Sequence, residues 1–293
     1  MPTKRSAPPP SGSPLSGPPL SCAAPAAITT WNINSVRLRA PIVRQLLERH
    51  GPDLLCLQEI KCLEEQFPFE AFADLGYAHV AVNGYKGYHG VAILSRHPFA
   101  EVEKRDFCGL TDGRHVAVRF DEDAGHALAG TWTHNFYVPA GGDVADRDAN
   151  PKFGHKLDFL AELTAAHDGS KPRSILVGDL NIAPEEHDVW SHKQLLKVVS
   201  HTPVEVEAMR GAIRAGGWDD VARRFVAPET KLYTWWSYRA KDWRASNKGR
   251  RLDHVWVTPD LTERVASYHV LREARGWEKP SDHVPVTIRL KAA

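Results

Sequence analysis

The sequence lacks two features that would direct it to a polyanion or a membrane. Its formal net charge is only +1 over 293 residues, so any surface that attracts nucleic acid must be a local patch. No apolar run approaches the roughly 18 to 20 residues of a membrane span. A proline-rich segment follows Lys4 and Arg5 where a signal peptide would be apolar, so we expect no signal peptide and no membrane contact.

Cysteine is also scarce, and its spacing excludes two kinds of site. The four cysteines are Cys22, Cys56, Cys62 and Cys108, and none of them forms a C-x-x-C pair. Cys56 lies in an apolar run, which favours free buried thiols in a reducing compartment over disulfides. We therefore expect a cytoplasmic protein without a structural zinc site.

The composition that is present indicates one folded domain after a tail. The chain is 42% hydrophobic and 25% charged, as in ordinary globular proteins. Residues 1–26 are rich in proline, serine, glycine and alanine, and they contain too little apolar surface to fold, so we expect a disordered tail. Residues 27–293 show no change of composition and are predicted to form one catalytic domain.

Strands and helices alternate along that domain. The apolar patterns predict strands at 28–33, 53–58, 90–95, 116–120, 127–138, 174–179, 252–257, 268–272 and 284–290. Helices are predicted at 41–50, 153–167 and 205–215. The mixture of hairpins and helical crossovers predicts an α/β sandwich of two mixed β-sheets packed face to face with helices outside. A doubly wound single sheet is the alternative.

Polar clusters occur at the ends of five predicted strands. They are Trp31-Asn32-Ile33-Asn34, Gln58-Glu59-Ile60-Lys61, Gly178-Asp179-Leu180-Asn181, Arg251-Leu252-Asp253-His254 and Ser281-Asp282-His283. Alone, Glu59 could cap the next segment, Asp179 could form a turn and Asp253 could pair with an arginine. Ligand sites of α/β proteins lie outside strand ends, so the five clusters together predict one cleft. Paired carboxylate and imidazole groups there suit phosphate-ester chemistry.

These segments, with KGYHGVAILSR (86–96), NFYVP (135–139) and YTWWSY (233–238), resemble the exonuclease III family of abasic-site endonucleases, within the endonuclease/exonuclease/phosphatase superfamily. The resemblance extends from Ile28 to Leu290. It implies a four-layer α/β sandwich, which agrees with the strand pattern. It also implies a DNA-repair nuclease that incises 5′ to abasic sites and removes 3′ nucleotides or 3′ blocking groups.

By this resemblance Glu59 is the main metal ligand, assisted by Asn34 and Asp282. An oxygen set with few carboxylates suits Mg²⁺, with Mn²⁺ as the alternative. The full set expected around the metal is Asn34, Glu59, Asp179, Asn181, Asp282 and His283.

The resemblance implies catalytic roles for five residues. Asp179 would orient or deprotonate the attacking water beside Asn181. His283 would donate to a phosphoryl oxygen, with its tautomer fixed by Asp253. Tyr137 would donate a hydrogen bond to the phosphate. Asn32, which is grouped with the phosphate-binding residues, would do the same. The alternative for Tyr137 is a strand aromatic whose hydroxyl lies at the surface.

A basic segment between Arg239 and Arg251 predicts a DNA-tracking loop, with a solvated charged loop as the alternative. By resemblance Trp235 and Leu252 would line a pocket for a flipped-out abasic sugar. The residues expected to contact DNA or phosphate are Asn32, Arg37, Lys61, Tyr88, Trp235, Arg244, Lys248, Arg250 and Leu252. Arg37 and Lys61 could instead form surface ion pairs.

Two residues depart from the best-known members of the family. Ala140 replaces an amide side chain that helps to hold DNA, and Arg250 replaces a pocket-closing tryptophan of some members. Both leave open the balance among abasic incision, 3′-to-5′ exonuclease and 3′-phosphatase activity. The expected substrate is double-stranded DNA with abasic sites or 3′ ends, bound by a monomer. The alternatives are a phosphodiesterase acting on lipid or inositol phosphates and a catalytically dead binding module.

Overall fold

The computed structural model describes residues 24–167, 169 and 173–292. Most of the predicted tail, residues 1–26, therefore lies outside the described residues. Its last residues belong to the fold, because Ala24 forms a β-bridge with His126 and the first strand begins at Ala26. The described helices are too short or too polar to cross a membrane. The cysteines among the described residues, Cys56, Cys62 and Cys108, are free thiols.

Two six-stranded sheets form the centre of the molecule. The first contains β1 (Ala26–Asn32), β2 (Leu54–Gln58), β3 (His79–Asn83), β4 (Val91–Ser95), β13 (Val265–Val270) and β14 (Val286–Leu290). The second contains β5 (Glu101–Lys104), β6 (His115–Arg119), β7 (Trp132–Tyr137), β8 (Ser174–Asp179), β9 (Asp219–Asp220) and β12 (Asp253–Val257). A two-stranded ribbon is formed by β10 (Trp235–Trp236) and β11 (Gly249–Arg250).

Both sheets are mixed. The spatial orders are β13-β14-β1-β2-β4-β3 and β5-β6-β7-β8-β12-β9. The pairs β1 with β2 and β7 with β8 are parallel, and the other pairs are antiparallel. Since the strands of each parallel pair end at the same edge, their terminal polar residues are brought together.

Alternating side chains of the central strands face two different cores, as the period of a strand requires. Ile28 and Leu54 enter the core between the sheets, whereas Trp31 and Leu57 face the other way. The helices are α1 (Val36–His50), α2 (Glu70–Ala73), α3 (Pro151–Ala166), α4 (His192–Leu195), α5 (Pro203–Gly216), α6 (Val221–Phe225), α7 (Trp243–Ser246) and α8 (Pro259–Thr262). Because α1 covers the first sheet and α3 with α5 cover the second, the predicted four-layer sandwich is confirmed.

A pair of amide side chains crosses the largely apolar space between the sheets. Gln58 Nε2 donates to Asn135 Oδ1 at 2.7 Å and to Thr30 Oγ1 at 2.9 Å. Asn135 Nδ2, from the second sheet, donates to the carbonyls of Leu57 and Ala92 at 3.0 Å each. These residues are all buried, so the contacts satisfy amide N–H groups that burial would otherwise leave without partners, whereas Gln58 Oε1 has no hydrogen-bond partner among the described residues.

Several predicted boundaries were wrong for identifiable reasons. Helix α1 begins at Val36, not at 41, and the ring of Pro41 is exposed within it. Strand β7 begins at Trp132, not at 127, because 127–130 form a turn, and β13 begins at Val265 instead of 268. Strands β3 and β5 were not predicted. They lie at sheet edges, where a strand carries a weaker apolar signal.

The predicted basic loop, residues 239–251, is also structured differently. It contains helix α7, whose N-terminus is capped by the side chain of Asp242. Arg251 does not face solvent: it is fully buried and donates to Asp188 at 2.9 Å and to Asp220 at 2.8 and 3.0 Å. Its guanidinium therefore holds two acidic segments inside the fold and is unavailable to DNA.

Replacing Arg251 by methionine should remove the cation that the buried carboxylate of Asp188 shares with the partly buried carboxylate of Asp220. Asp188 then keeps only its ion pair with Arg223. We expect the free energy of unfolding to fall by about 3–5 kcal/mol. Arg210→Met is the control, because it removes an exposed ion pair with Glu185 and should cost less than about 1 kcal/mol. Equal urea midpoints for the two variants would contradict the structural role of Arg251.

Candidate active site

The five polar clusters meet at one edge of the sandwich. Asn32 ends β1 and Glu59 follows β2, which runs parallel to it. In the second sheet Asp179 ends β8 and is paired in register with Asp253, the first residue of the antiparallel strand β12. The segment before β14 adds His283 to the same group. Sequence-distant strand ends thus form one site, as the motif pattern predicts.

The side-chain amide of Asn32 connects the two sheets at this edge. Its Nδ2 donates to Glu59 Oε1 and to Asp179 Oδ2, each at 2.8 Å. Asn32 is fully buried, and both amide hydrogens are directed at protein carboxylates. In this state Asn32 bridges two acids and does not offer a free donor to phosphate, which differs from the predicted role.

The backbone around the site adopts conformations that are rare for non-glycine residues. Asn34, Glu59, Lys61 and Asn181 have φ values of 49°, 48°, 53° and 53°. Gly178, just before Asp179, has φ of 143°, and a Cβ there would lie 2.0 Å from the carbonyl oxygen of Phe136. Such strained residues persist where the surrounding structure holds them, and they concentrate at functional sites.

His283 is held between two aspartates. Its Nδ1 lies 2.9 Å from Asp253 Oδ2, and its Nε2 lies 3.6 Å from Asp179 Oδ2. Burial alone would lower the pKa of His283, but the carboxylates of Asp253 and Asp179 outweigh it and raise the pKa to about 10. The imidazole is therefore protonated at neutral pH, and Nε2 carries a proton that it can donate.

The pKa of Asp179 is also raised, but here burial outweighs the charged neighbour. Burial raises the pKa of its carboxyl to about 7, against the opposing effect of His283. The backbone N–H of Asn181 donates to Asp179 Oδ1 at 3.0 Å, and Asn181 Nδ2 lies 3.3 Å from Oδ2. A carboxylate with a pKa near the working pH is well suited to accept a proton from water.

Tyr137 is buried beside these acids, which excludes the alternative of a surface hydroxyl. Burial, followed by the carboxylates of Glu59 and Asp179, raises the pKa of Tyr137 well above its ordinary value, so the phenol stays protonated. The guanidinium of Arg114 lies 5.1 Å from the ring centroid and donates to the Tyr137 carbonyl at 3.3 Å. Arg114 is not among the predicted site residues, because its segment lies outside the strand-end motifs.

An oxygen-rich group surrounds Glu59. Lys61 Nζ lies 2.8 Å from Glu59 Oε2 and 2.6 Å from Asn34 Oδ1, so Lys61 is an ion-pair partner in this structure. Asp282 accepts from Asn34 Nδ2 at 3.1 Å and from Trp235 Nε1 at 2.9 Å. These contacts, with His283, outweigh burial and keep the pKa of Asp282 below its ordinary value.

The donor set of this group fits a hard divalent cation, because its ligands are carboxylate and amide oxygens. The ammonium of Lys61 shows that Glu59 and Asn34 direct two oxygens at one positive charge. A second group, Asp179, Asp253 and His283, has ligand atoms within 4.8 Å of one another. This group contains an imidazole whose Nδ1 is bonded to Asp253, whereas the group around Glu59 offers carboxylate and amide oxygens.

A cavity of about 470 Å³ opens beside the site. Trp235 and Arg250 line it, and the guanidinium of Arg250 lies 5.4 Å from the Trp235 ring centroid. Leu252 is buried in the apolar cluster that Trp235 packs against and does not line this cavity, contrary to the predicted pocket. Arg250 also donates to Ser200 Oγ at 2.6 Å, so its side chain is fixed in the wall.

The other predicted DNA contacts lie at the surface. Arg244 is exposed with its guanidinium 5.3 Å from the Trp243 ring, and exposed Lys248 lies 4.6 Å from the Trp190 ring. Tyr88 is 74% exposed. Arg37 is exposed and makes one long hydrogen bond, 3.4 Å, to the Lys61 carbonyl. Each of these side chains is accessible to a ligand.

The sequence family agrees with this geometry. A family model described as the Endonuclease/Exonuclease/phosphatase family matches residues 29–283. The chain belongs to this family. Exodeoxyribonuclease III of Haemophilus influenzae is 32% identical over 273 residues, covering 89% of this chain and 98% of that protein. DNA repair nuclease APEX1 of Danio rerio is 30% identical, covering 90% of this chain and 81% of that protein.

Solved structures of family members have the same fold. The 3′ phosphatase NExo from Neisseria, bound to a product DNA hairpin, matches with a TM-score of 0.81 and 31% identity, covering 91% of this chain and 99% of that chain. An AP endonuclease from Archaeoglobus fulgidus matches with a TM-score of 0.80 and 31% identity, covering 90% and 98%. The predicted resemblance to the exonuclease III family is therefore confirmed.

The protonation of His283 can be measured without substrate. We expect its NMR titration to have a midpoint near 10, and we expect Asp253→Asn to lower that midpoint, because burial then acts against a smaller negative charge. A His283 midpoint that does not move would contradict the assigned hydrogen bond.

Proposed function

We propose that this protein is a metal-dependent DNA-repair nuclease that incises 5′ to abasic sites and removes 3′ nucleotides or 3′ blocking groups. The observation that carries the proposal is the hydrogen-bonded set of Glu59, Asn32 and Asp179, joined by the His283–Asp253 pair. The names of the relatives, exodeoxyribonuclease III and DNA repair nuclease, support DNA as the substrate.

Hydrolysis of a phosphodiester requires an activated water and neutralisation of charge on the phosphoryl oxygens. In our proposal Asn181 orients the attacking water, and Asp179 accepts its proton at a carboxylate oxygen as the water oxygen bonds to phosphorus. The bond from phosphorus to the leaving sugar oxygen breaks in the same step, and that oxygen takes a proton from solvent. His283 donates from Nε2 to a phosphoryl oxygen, while Asp253 holds its Nδ1–H and keeps the ring oriented. Tyr137, protonated and buried at the same edge, donates a further hydrogen bond to the phosphate.

Glu59, Asn34 and Asp282 are proposed to hold Mg²⁺, with Mn²⁺ as the alternative. The ion would neutralise negative charge on the phosphate. Lys61 would then lose its contact with Glu59 and become free to approach the DNA backbone. Asp179 remains the proton acceptor, and His283 remains the donor to the phosphoryl oxygen.

Double-stranded DNA with an abasic site or a 3′ end is the proposed substrate. The cavity beside Trp235 and Arg250 is the proposed position of the sugar next to the scissile phosphate. Arg250 in its wall and the small side chain of Ala140 differ from the best-known members of the family. The ratio of abasic incision to 3′-end processing is therefore left to experiment. The expectation of a cytoplasmic monomer stays a prediction.

An oligonucleotide duplex with one synthetic abasic site tests the proposal. Wild-type protein with Mg²⁺ should nick the strand 5′ to the lesion, and EDTA should abolish nicking. Asp179→Asn removes the proton acceptor and should lower kcat by about 100- to 10,000-fold. Product length and end chemistry on a denaturing gel identify the cleaved bond.

Each other outcome points to a different conclusion. Full activity in EDTA would reject the metal assignment. An intact abasic site together with hydrolysis of a phosphoinositide would favour a phosphodiesterase of another substrate class. Metal-independent DNA binding without any hydrolysis would favour a catalytically dead module.

The exposed cations make a separate prediction about binding. Replacing Arg244 and Lys248 by glutamine should weaken DNA binding and reduce the slope of log Kd against log salt by about 0.9 for each lost phosphate contact. The control is neutralisation of Arg214, which is exposed and paired with Glu207 on α5. An unchanged salt slope, measured by fluorescence anisotropy, would identify these two side chains as ordinary solvated surface.

A further inference from the structure

A fully buried ion pair lies beneath the catalytic edge and is not explained by the chemistry proposed above. Lys156 on α3 and Glu205 on α5 are both 0% exposed, and Lys156 Nζ donates to Glu205 Oε1. These helices already pack through apolar residues such as Leu160 and Met209. A buried ion pair is seldom the most stable solution for such a contact, because desolvation offsets much of its attraction.

The remaining contacts of Lys156 are directed at the active site. Its Nζ donates to the carbonyl of Asn181 at 2.8 Å and reaches the carbonyl of Ala140 at 3.4 Å. Asn181 has a φ of 53°, in the left-handed region that is uncommon for non-glycine residues but that asparagine tolerates better than most. The three N–H bonds of the ammonium are thus directed at Glu205 and at two segments that border the site.

Glu205 connects the ion pair to the loop around Ser200, which supports Arg250 in the wall of the cavity beside the site. Its carboxylate oxygens accept from the backbone N–H of Ser200 at 3.0 Å and from the N–H of Thr202 at 3.2 Å. Ser200, which has a φ of 86°, accepts from Arg250 in the cavity wall and bonds through its carbonyl to the N–H of Ala183. One ion pair therefore holds both the loop that follows Asp179 and the loop that supports Arg250.

We propose that Lys156 and Glu205 are positioning residues, which fix the Asn181 loop against the Ser200 loop so that the catalytic side chains keep their geometry. This inference rests on the proposed nuclease function of the site, but the arrangement that it assigns can be measured separately. A pair that only joined α3 to α5 would have no reason to bond the carbonyl of Asn181. Neither residue touches the proposed position of the substrate.

The test uses the double variant Lys156→Met/Glu205→Gln in the full chain. It removes both charges together, so no unpaired charge stays buried, and glutamine keeps an oxygen for the Ser200 or Thr202 N–H. We expect the Tm to stay close to that of the wild type. We also expect kcat on the abasic duplex to fall about 10- to 100-fold while KM changes less than about threefold, because misplaced groups slow chemistry more than binding.

Hydrogen exchange measured by mass spectrometry gives a readout that does not need activity. Peptides covering residues 179–183 should exchange about tenfold faster in the double variant, whereas peptides from the interiors of α3 and α5 should be unchanged. Lys104→Met is the matched control, since it removes an exposed lysine that pairs with Glu64 at 2.8 Å, and it should alter none of these quantities.

The inference is overturned if the double variant keeps both the wild-type kcat and the wild-type exchange of residues 179–183. It is also overturned if the double variant fails to fold, since the pair would then be a requirement of folding. A wild-type protein that cuts no abasic DNA would reject the proposed function, and the exchange data would still decide whether the pair positions the loop.

Discussion

The amide of Asn32 is the contact on which the arrangement of the site depends. It lies at the end of a strand in one sheet and donates to an acid of each sheet, Glu59 and Asp179. The buried carboxylate of Asp179 and the partly buried carboxylate of Glu59 would repel each other, and a donor shared between them offsets that repulsion. The same contact fixes the relative position of the two sheets at the edge where Asp253 and His283 join the group.

The central strands could be predicted because both of their faces are buried. Runs such as Leu54–Gln58 and Ser174–Asp179 are almost continuously apolar, and they are the middle strands of the two sheets. Strand β5 could not be predicted, since an exposed edge strand carries charged residues instead of an apolar pattern. Pro41 misplaced the start of α1, because proline is common in the first turn but is tolerated here within the helix.

The candidate site was predictable to the extent that its residues follow strands in recognisable motifs. Residues whose roles arise from pairing across the fold were missed or misassigned. Arg251 stands among basic neighbours in sequence, but its partners Asp188 and Asp220 come from distant segments and draw it into the interior. Lys156 was missed for the same reason, because only the packing of α3 on α5 brings it to Glu205 and to the Asn181 carbonyl.

The amide pair between Gln58 and Asn135 has a consequence for how this fold can diverge. Apolar residues in the space between the sheets can exchange for others of similar volume, since hydrophobic contacts have little directionality. The amide pair allows no such freedom: a shift of one sheet along the other would separate its members and leave polar groups dehydrated. Gln58 directly precedes Glu59. The amide pair therefore fixes the alignment of the two sheets. Substitutions among the surrounding apolar residues can alter the packing of the core without moving the catalytic edge.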